Sequence, residues 1–121
     1  PKYYFTDNGI LNLFLLDSNT SLLENLVAMS LIREYGREDS VYFYNQGVEV
    51  DFYIPDNETA IQVSYSLSDA ETFEREINAL VKISSVLPCS KLIVITRDEE
   101  DVLNIEGKTI EVIPVWKWLL R

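Results

Sequence analysis

Histidine is absent from this chain of 121 residues, cysteine occurs once, and glycine and proline occur four times each. The absence of histidine excludes Ser-His and Cys-His nucleophile pairs, a histidine general base, and zinc or iron sites built on histidine ligands. A metal bound by this chain would therefore be a hard cation such as Mg²⁺, held by oxygen ligands.

The single cysteine, Cys89, excludes a disulfide within the chain. A lone thiol next to a proline is typical of a structural residue in a reducing compartment, so we expect a cytoplasmic protein. The apolar stretches are too short to span a bilayer, and we expect no membrane association.

Basic residues are scarce, since 10 Lys and Arg stand against 20 Asp and Glu and give a net charge of −10. The few cations are dispersed, and Arg33 and Arg37 each adjoin a glutamate. Phosphate binding needs clustered cations, so nucleic-acid binding by this domain alone is not expected. The negative charge is also explained simply by solubility, because a net charge keeps protein molecules apart.

The length predicts one domain over residues 1–121, with enough apolar residues (47%) for a hydrophobic core. The chain begins at Pro1 rather than at a methionine. We therefore expect a C-terminal fragment of a longer protein.

Hydrophobic periodicity predicts an α/β fold with a mixed sheet, of the α+β type. An antiparallel three-strand meander is followed by a crossover helix and further strands, with helices on the sheet faces. The predicted strands are residues 2–6, 41–44, 48–54, 59–65, 91–96 and 109–114. The predicted helices are residues 10–16, 21–35, 68–86 (with Ser68 and Glu71 as a capping box and Pro88 as the stop) and a turn at 115–120, and an acidic loop begins at 97–101.

The second and third strands of the meander place polar side chains on one face. Side chains alternate along a strand, so Glu49, Asp51 and Tyr53 point away from Val48, Val50, Phe52 and Ile54. If residues 55–58 form a four-residue loop, Ile54 pairs with Thr59. Counting back puts Asp51 opposite Gln62, Glu49 opposite Ser64, and Phe52 against Ile61.

The chain resembles the C-terminal, nuclease-like domain of a large family of prokaryotic AAA-type ATPases, within the PD-(D/E)XK or restriction-endonuclease-like superfamily. The residues that carry the resemblance are Lys2-Tyr3-Tyr4 with Asp7 and Gly9, Leu23-Glu24-Asn25-Leu26-Val27, Glu49-Val50-Asp51-Phe52, and residues 93–96 with Ile113-Pro114. It covers nearly the whole chain and implies a restriction-endonuclease-like core.

The resemblance also implies a site. Asp51 takes the first metal-ligand position, Gln62 the second, Ser64 the position of the lysine, and Glu24 the helical glutamate. In an active member, two acidic ligands hold the cation that activates water, and the lysine stabilises the charged transition state. Here two of the four positions are altered, so Asp51, Gln62 and Glu24 are expected to bind Mg²⁺ weakly if at all.

A cation elsewhere in the chain would be needed to restore activity, and Arg75 or Lys82 on the following helix are the nearest candidates. The same residues have structural readings. Glu24 stands three residues after Ser21, as in a helix capping box. Gln62 and Ser64 fit half-buried polar positions of a sheet.

Several aromatic residues have both readings too. Tyr42, Tyr44 and Tyr53 are expected to pack rather than to stack on bases, because no cations are interleaved with them. Of Trp116 and Trp118, one is expected in the core and one partly exposed.

Three functions remain open. The leading hypothesis is a catalytically degenerate accessory or regulatory domain of an AAA-type ATPase, whose partner is the ATP-binding N-terminal module of the same chain. The second is a weakly active or active Mg²⁺-dependent DNA nuclease that uses Arg75 or Lys82. The third is a protein-interaction or self-association module, suited by the acidic surface and the C-terminal tryptophans.

Overall fold

A mixed six-stranded sheet carries helices on both faces in the computed structural model, which describes residues 20–35, 42–45 and 49–121. The helices are α1 (Thr20–Tyr35), α2 (Ala70–Ile83) and α3 (Val115–Leu120). The strands are β1 (Tyr42–Asn45), β2 (Glu49–Ile54), β3 (Thr59–Val63), β4 (Lys91–Thr96), β5 (Asp101–Ile105) and β6 (Lys108–Pro114), and a 3-10 turn spans Pro55–Asn57.

The strand order is β1-β2-β3-β4-β6-β5. β4 pairs in parallel with β3 and with β6, and the other neighbours are antiparallel. The predicted meander and the crossover through α2 to a parallel strand are therefore confirmed. Every residue of β4 after Lys91 is buried, as a strand with parallel neighbours and helices on both faces requires.

The two faces of the sheet have separate hydrophobic cores. One core packs α1 and α3 on the sheet and contains Leu23, Val27, Ala28, Leu31, Phe52, Ile54, Ile61, Val63, Ile93, Ile95, Ile113 and Trp118. The other packs α2 and contains Val50, Tyr53, Ala60, Ile77, Leu80, Ile83, Leu92, Val94, Ile110 and Val112. Each face of the central strands is thus covered by a helix.

The β2–β3 hairpin has the predicted register near its loop, with Ile54 opposite Thr59 and Phe52 opposite Ile61. Glu58 closes the loop in the left-handed conformation, at φ 51. The predicted alternation along β2 is wrong at one point, because Val50 lies in the core on the side of α2 while Phe52 and Ile54 lie in the other.

A β-bulge is the physical reason for that difference. Between the pairs Tyr42↔Tyr53 and Tyr44↔Val50, β1 advances by two residues and β2 by three. The extra residue reverses the facing of the side chains beyond it. Asp51 lies inside this irregular stretch.

Strand β5 was not predicted, since only an acidic loop was expected where it begins. It pairs with β6 through a tight turn at Glu106 and Gly107, both with positive φ (51 and 77). Asn-Gly or Asp-Gly between two short apolar runs is the usual signal of such a hairpin, and Glu106-Gly107 is a weaker one.

Helix α2 is shorter than predicted and has a different cap. Its N-cap is Asp69, whose Oδ2 accepts a hydrogen bond of 2.9 Å from the backbone N–H of Thr72. The predicted capping box of Ser68 and Glu71 is therefore wrong. The helix ends at Ile83, five residues before Pro88.

The remaining elements agree with expectation where they are described. Trp118 is buried (1% exposed) and Trp116 is exposed (58%). Tyr53 is buried, and its hydroxyl donates a hydrogen bond of 2.7 Å to the carbonyl of Pro88. The predicted strand at residues 2–6 and helix at residues 10–16 lie outside the described residues, as do the side chains of Tyr42 and Tyr44. Among the described helices, none is both long and apolar enough to cross a membrane.

Candidate functional site

A polar cleft lies between the meander and α2 and has a volume of about 430 Å³. The sheet contributes Glu49, Asp51 and Gln62, and α2 contributes Arg75, Glu76, Asn78, Ala79 and Lys82. The cleft thus brings together two of the predicted site residues, Asp51 and Gln62, and both candidate replacement cations.

The side chains of Asp51 and Gln62 each accept a hydrogen bond from the backbone of the neighbouring strand. The backbone N–H of Asp51 donates 2.9 Å to Oε1 of Gln62. The backbone N–H of Val63 donates 2.7 Å to Oδ2 of Asp51. The last regular pair of the β2–β3 ladder is Phe52 with Ile61, so these two side chains supply the acceptors that the ladder no longer provides.

This exchange explains why polar residues stand at these positions. Gln62 is 3% exposed, and a buried backbone N–H without an acceptor is destabilising. The bulge in β2 opens the ladder, and the two side chains satisfy it. Two of the oxygens available for a metal ion therefore already accept backbone hydrogen bonds.

Ser64 is buried (4% exposed) and is not one of the residues that line the cleft. Its Oγ donates 2.9 Å to the carbonyl of Ser66. Its backbone N–H continues the pairing of β3 with β4 by donating 3.0 Å to the carbonyl of Ile95. The Ser64 hydroxyl thus stabilises the end of β3 locally.

Glu24 lies on α1, outside the cleft lining. Helix α1 begins at Thr20, one residue before Ser21, so Ser21 is not at its N-cap as the capping-box reading required. The negative charge of Glu24 nevertheless raises the pKa of a cleft residue, Glu76. The helical glutamate and the cleft therefore interact electrostatically.

Glu76 is a cleft acid whose pKa is strongly raised. Burial is the largest cause, and the nearby charges of Asp51, Glu24 and Glu49 add to it, so its pKa rises from 4.5 to about 7 despite the opposing charge of Arg75. The guanidinium of Arg75 lies 3.8 Å from Oε1 of Glu76. We therefore expect the carboxyl of Glu76, in the lining of the cleft, to change its protonation state near neutral pH.

The sequence prediction missed Glu76, although a signal was present. The apolar stripe of α2 runs through the partly buried Phe73 and the buried Ile77 and Leu80, and Glu76 stands three residues after Phe73 and four before Leu80. A carboxylate within the apolar stripe of an amphipathic helix is a buried acid, and buried acids often mark sites.

The two cations of the cleft differ from a positioned lysine. The side chain of Arg75 is 66% exposed, and Lys82 is exposed on the last turn of α2. Both come from the helix, whereas Asp51 and Gln62 come from the sheet. The cleft therefore has its positive charge on one wall and Glu49 and Asp51 on the other.

The family model that matches this chain covers residues 19–118 and is described as a domain of unknown function, DUF4143. The chain belongs to the DUF4143 family. It is 36% identical, over an alignment of 130 positions, to the uncharacterized protein MJ1544 of Methanocaldococcus jannaschii. The alignment includes 98% of this chain and 29% of that relative, and no solved structure is detectably similar.

In this DUF4143 domain the cleft combines carboxylates and cations without a preformed cation-binding cluster. Within residues 20–35, 42–45 and 49–121, no group of three or more acidic, cysteine or histidine side chains has the geometry to hold a metal ion. The carboxylates of Asp51 and Glu76 could bind a proton or a cation in the cleft. Arg75 and Lys82 could bind an anion there.

Proposed function

We propose that this DUF4143 domain is a catalytically degenerate member of the PD-(D/E)XK superfamily that serves as an accessory or regulatory module of a larger AAA-type ATPase. The observation that carries the proposal is that the side chains of Asp51 and Gln62 both accept backbone hydrogen bonds, from Val63 and from Asp51 respectively. Oδ2 of Asp51 and Oε1 of Gln62 accept backbone hydrogen bonds of 2.7 and 2.9 Å.

The order of elements supports a restriction-endonuclease-like core. A helix carrying Glu24 precedes an antiparallel meander, and a crossover helix leads to a parallel buried strand. The Asp51 and Gln62 positions lie on adjacent strands, as the resemblance requires. A fold of this kind does not by itself imply activity, which depends on the site.

The chemistry of the site argues for degeneracy. Gln62 brings a neutral ligand where a charged one would attract the cation, so the affinity for Mg²⁺ falls. Ser64 is tied to a backbone carbonyl and has no charge with which to stabilise a phosphorane-like transition state. These two losses act on separate steps, cation binding and charge stabilisation.

The accessory role is supported by the length of the relative. This chain spans only 29% of MJ1544, so that protein has a large additional region. In the complete protein we expect a Gly-rich loop ending in Lys-Ser or Lys-Thr, the mark of a phosphate-binding loop, together with ATP hydrolysis. A complete protein without that loop and without ATPase activity contradicts the accessory role.

The degenerate site is tested by incubating the protein with supercoiled plasmid and with single-stranded DNA in Mg²⁺ or Mn²⁺. We expect no cleavage above a protein-free control. Cleavage that disappears in Asp51→Ala and persists in Asp56→Ala, an exposed aspartate in the loop after β2, contradicts the proposal.

A second candidate function is a weak Mg²⁺-dependent nuclease, favoured by the presence of Arg75 and Lys82 in the same cleft as Asp51. It requires divalent binding. Titration calorimetry that detects no binding at millimolar Mg²⁺ or Mn²⁺ eliminates this candidate, and binding that is lost in Asp51→Ala supports it.

A further inference from the structure

Helix α1 is apolar on two faces, and the sheet covers only one of them. Its core face presents Leu23, Val27 and Leu31 to the sheet, at four-residue spacing. Leu26 and Met29 stand on a second stripe, both partly exposed, and line a surface groove. A helix apolar on two faces is typical of one that packs on two sides.

The groove runs between α1 and α3 and has a volume of about 700 Å³. Leu119 forms the wall on the α3 side and is 45% exposed. Trp116 and Leu120 stand three residues before and one after it and are 58% and 80% exposed. Positions i, i+3 and i+4 share one side of a helix, so the apolar surface of the groove extends along α3.

The residue types are those enriched where proteins bind one another. The groove and its extension contain the one methionine of the chain, one of its two tryptophans, and two arginines. Methionine, tryptophan and arginine are over-represented in interface cores, and tryptophan and arginine dominate binding hot spots.

The groove also differs in charge from the rest of the molecule. Glu34 is held by Arg121 at 2.7 Å, and the Arg121 guanidinium stacks 3.9 Å from the ring centroid of Trp118. Arg33, the other cation of the groove, has no carboxylate partner among the described residues. In a chain with net charge −10, the described lining of this groove thus carries two arginines and one glutamate, an excess of one positive side chain.

We propose that this groove binds an amphipathic helix of a partner protein, with apolar side chains at i, i+3 and i+4 and an acidic side chain that pairs with Arg33. Helices bind grooves of this kind through an apolar face, and a charge at the rim selects the partner. A second copy of the chain fits less well, because it repeats the same excess cation at the groove and brings a net charge of −10 against −10.

The test uses two labelled synthetic peptides of about 18 residues, long enough to form a helix. Both carry leucine at i, i+3, i+4 and i+7. One has glutamates beside the leucines, the other lysines at the same positions. Binding is measured by fluorescence anisotropy at about 0.15 M salt, where long-range charge effects are screened.

We expect the glutamate peptide to bind at least about tenfold more tightly than the lysine peptide, the effect of one favourable rim contact. The overall acidity of the protein favours the opposite order, so this result identifies the local groove. Arg33→Glu should reverse the preference, and Leu119→Ser should weaken both peptides. Arg97→Glu and Val102→Ser, exposed residues elsewhere, should behave as wild type.

Circular dichroism verifies that each variant is folded. Tighter binding of the lysine peptide, equal binding of the two, or an unchanged preference in Arg33→Glu overturns the proposal. So does sedimentation showing that the protein self-associates and that Leu119→Ser abolishes the self-association. None of these results depends on nuclease activity.

Discussion

Replacing Glu76 by glutamine should stabilise the protein at high pH and change it little at low pH. The folded-state pKa of Glu76 is about 7, against 4.5 for the free side chain. Between these values the folded protein holds a proton that the unfolded chain has released. The free energy of unfolding therefore falls as the pH rises through this window and levels off above pH 7.

The size of the effect follows from the same pKa values. The rise in pKa from 4.5 to about 7 changes the free energy of unfolding by at most roughly 3 kcal/mol. The Glu76 side chain is only 15% exposed, so solvent screens little of this effect. Glutamine keeps the shape and cannot ionise. The advantage of Glu76→Gln over wild type should grow by about 2–3 kcal/mol between pH 5 and pH 8.

The assay is urea unfolding followed by tryptophan fluorescence at pH 5 and pH 8, for wild type and Glu76→Gln. Glu74→Gln, an exposed change on the same helix, corrects for the general benefit of removing a negative charge from an acidic protein. An equal difference in unfolding free energy between Glu76→Gln and wild type at the two pH values contradicts a raised pKa at Glu76. An equal increase of this difference with pH in Glu74→Gln contradicts it as well.

Three further pairs of substitutions test the structure by the same unfolding assay. Asp51→Ala should lower the free energy of unfolding by about 1–3 kcal/mol, because a buried backbone N–H of β3 loses its acceptor. Asp51→Asn should lower it by less, and equal losses contradict the hydrogen bond to Asp51. Asp69→Ala should lower the free energy of unfolding by about 1 kcal/mol and Ser68→Ala by much less. The reverse order contradicts Asp69 as the N-cap. Trp118→Ala should lose about 3–5 kcal/mol and Trp116→Ala less than about 0.5, and similar losses contradict their different burial.

The part of the fold nearest to local rules was predictable from the sequence. The register at Ile54 and Thr59 follows from a four-residue loop that contains Pro55 and from apolar alternation on both sides. Helix α2 and the buried strand β4 have strong periodic patterns. In each case the deciding contacts are close in sequence, so pattern and fold agree.

The unpredicted features depend on residues that meet only in the fold. The bulge around Asp51 is set by pairing with β1, and the sequence of β2 alone gives a regular alternation. The raised pKa of Glu76 arises from burial together with charges on β2 and α1. Asp69 and Ser68 are both good N-caps, and the choice between them depends on where the chain leaves β3.

The candidate site was predictable only where it depends on the local pairing of the β2–β3 hairpin. The hairpin count brought Asp51 and Gln62 together, and both line the cleft. Ser64 was expected beside them, but its hydroxyl bonds to Ser66 beyond the end of β3.

The inactivity proposed for this domain is tested by the rate at which purified protein nicks supercoiled plasmid in Mn²⁺, compared with Asp51→Ala prepared in parallel. We predict that both rates equal that of the protein-free control, because Oδ2 of Asp51 and Oε1 of Gln62 accept backbone hydrogen bonds and Ser64 carries no charge. A metal-dependent rate in wild type that is lost in Asp51→Ala contradicts it.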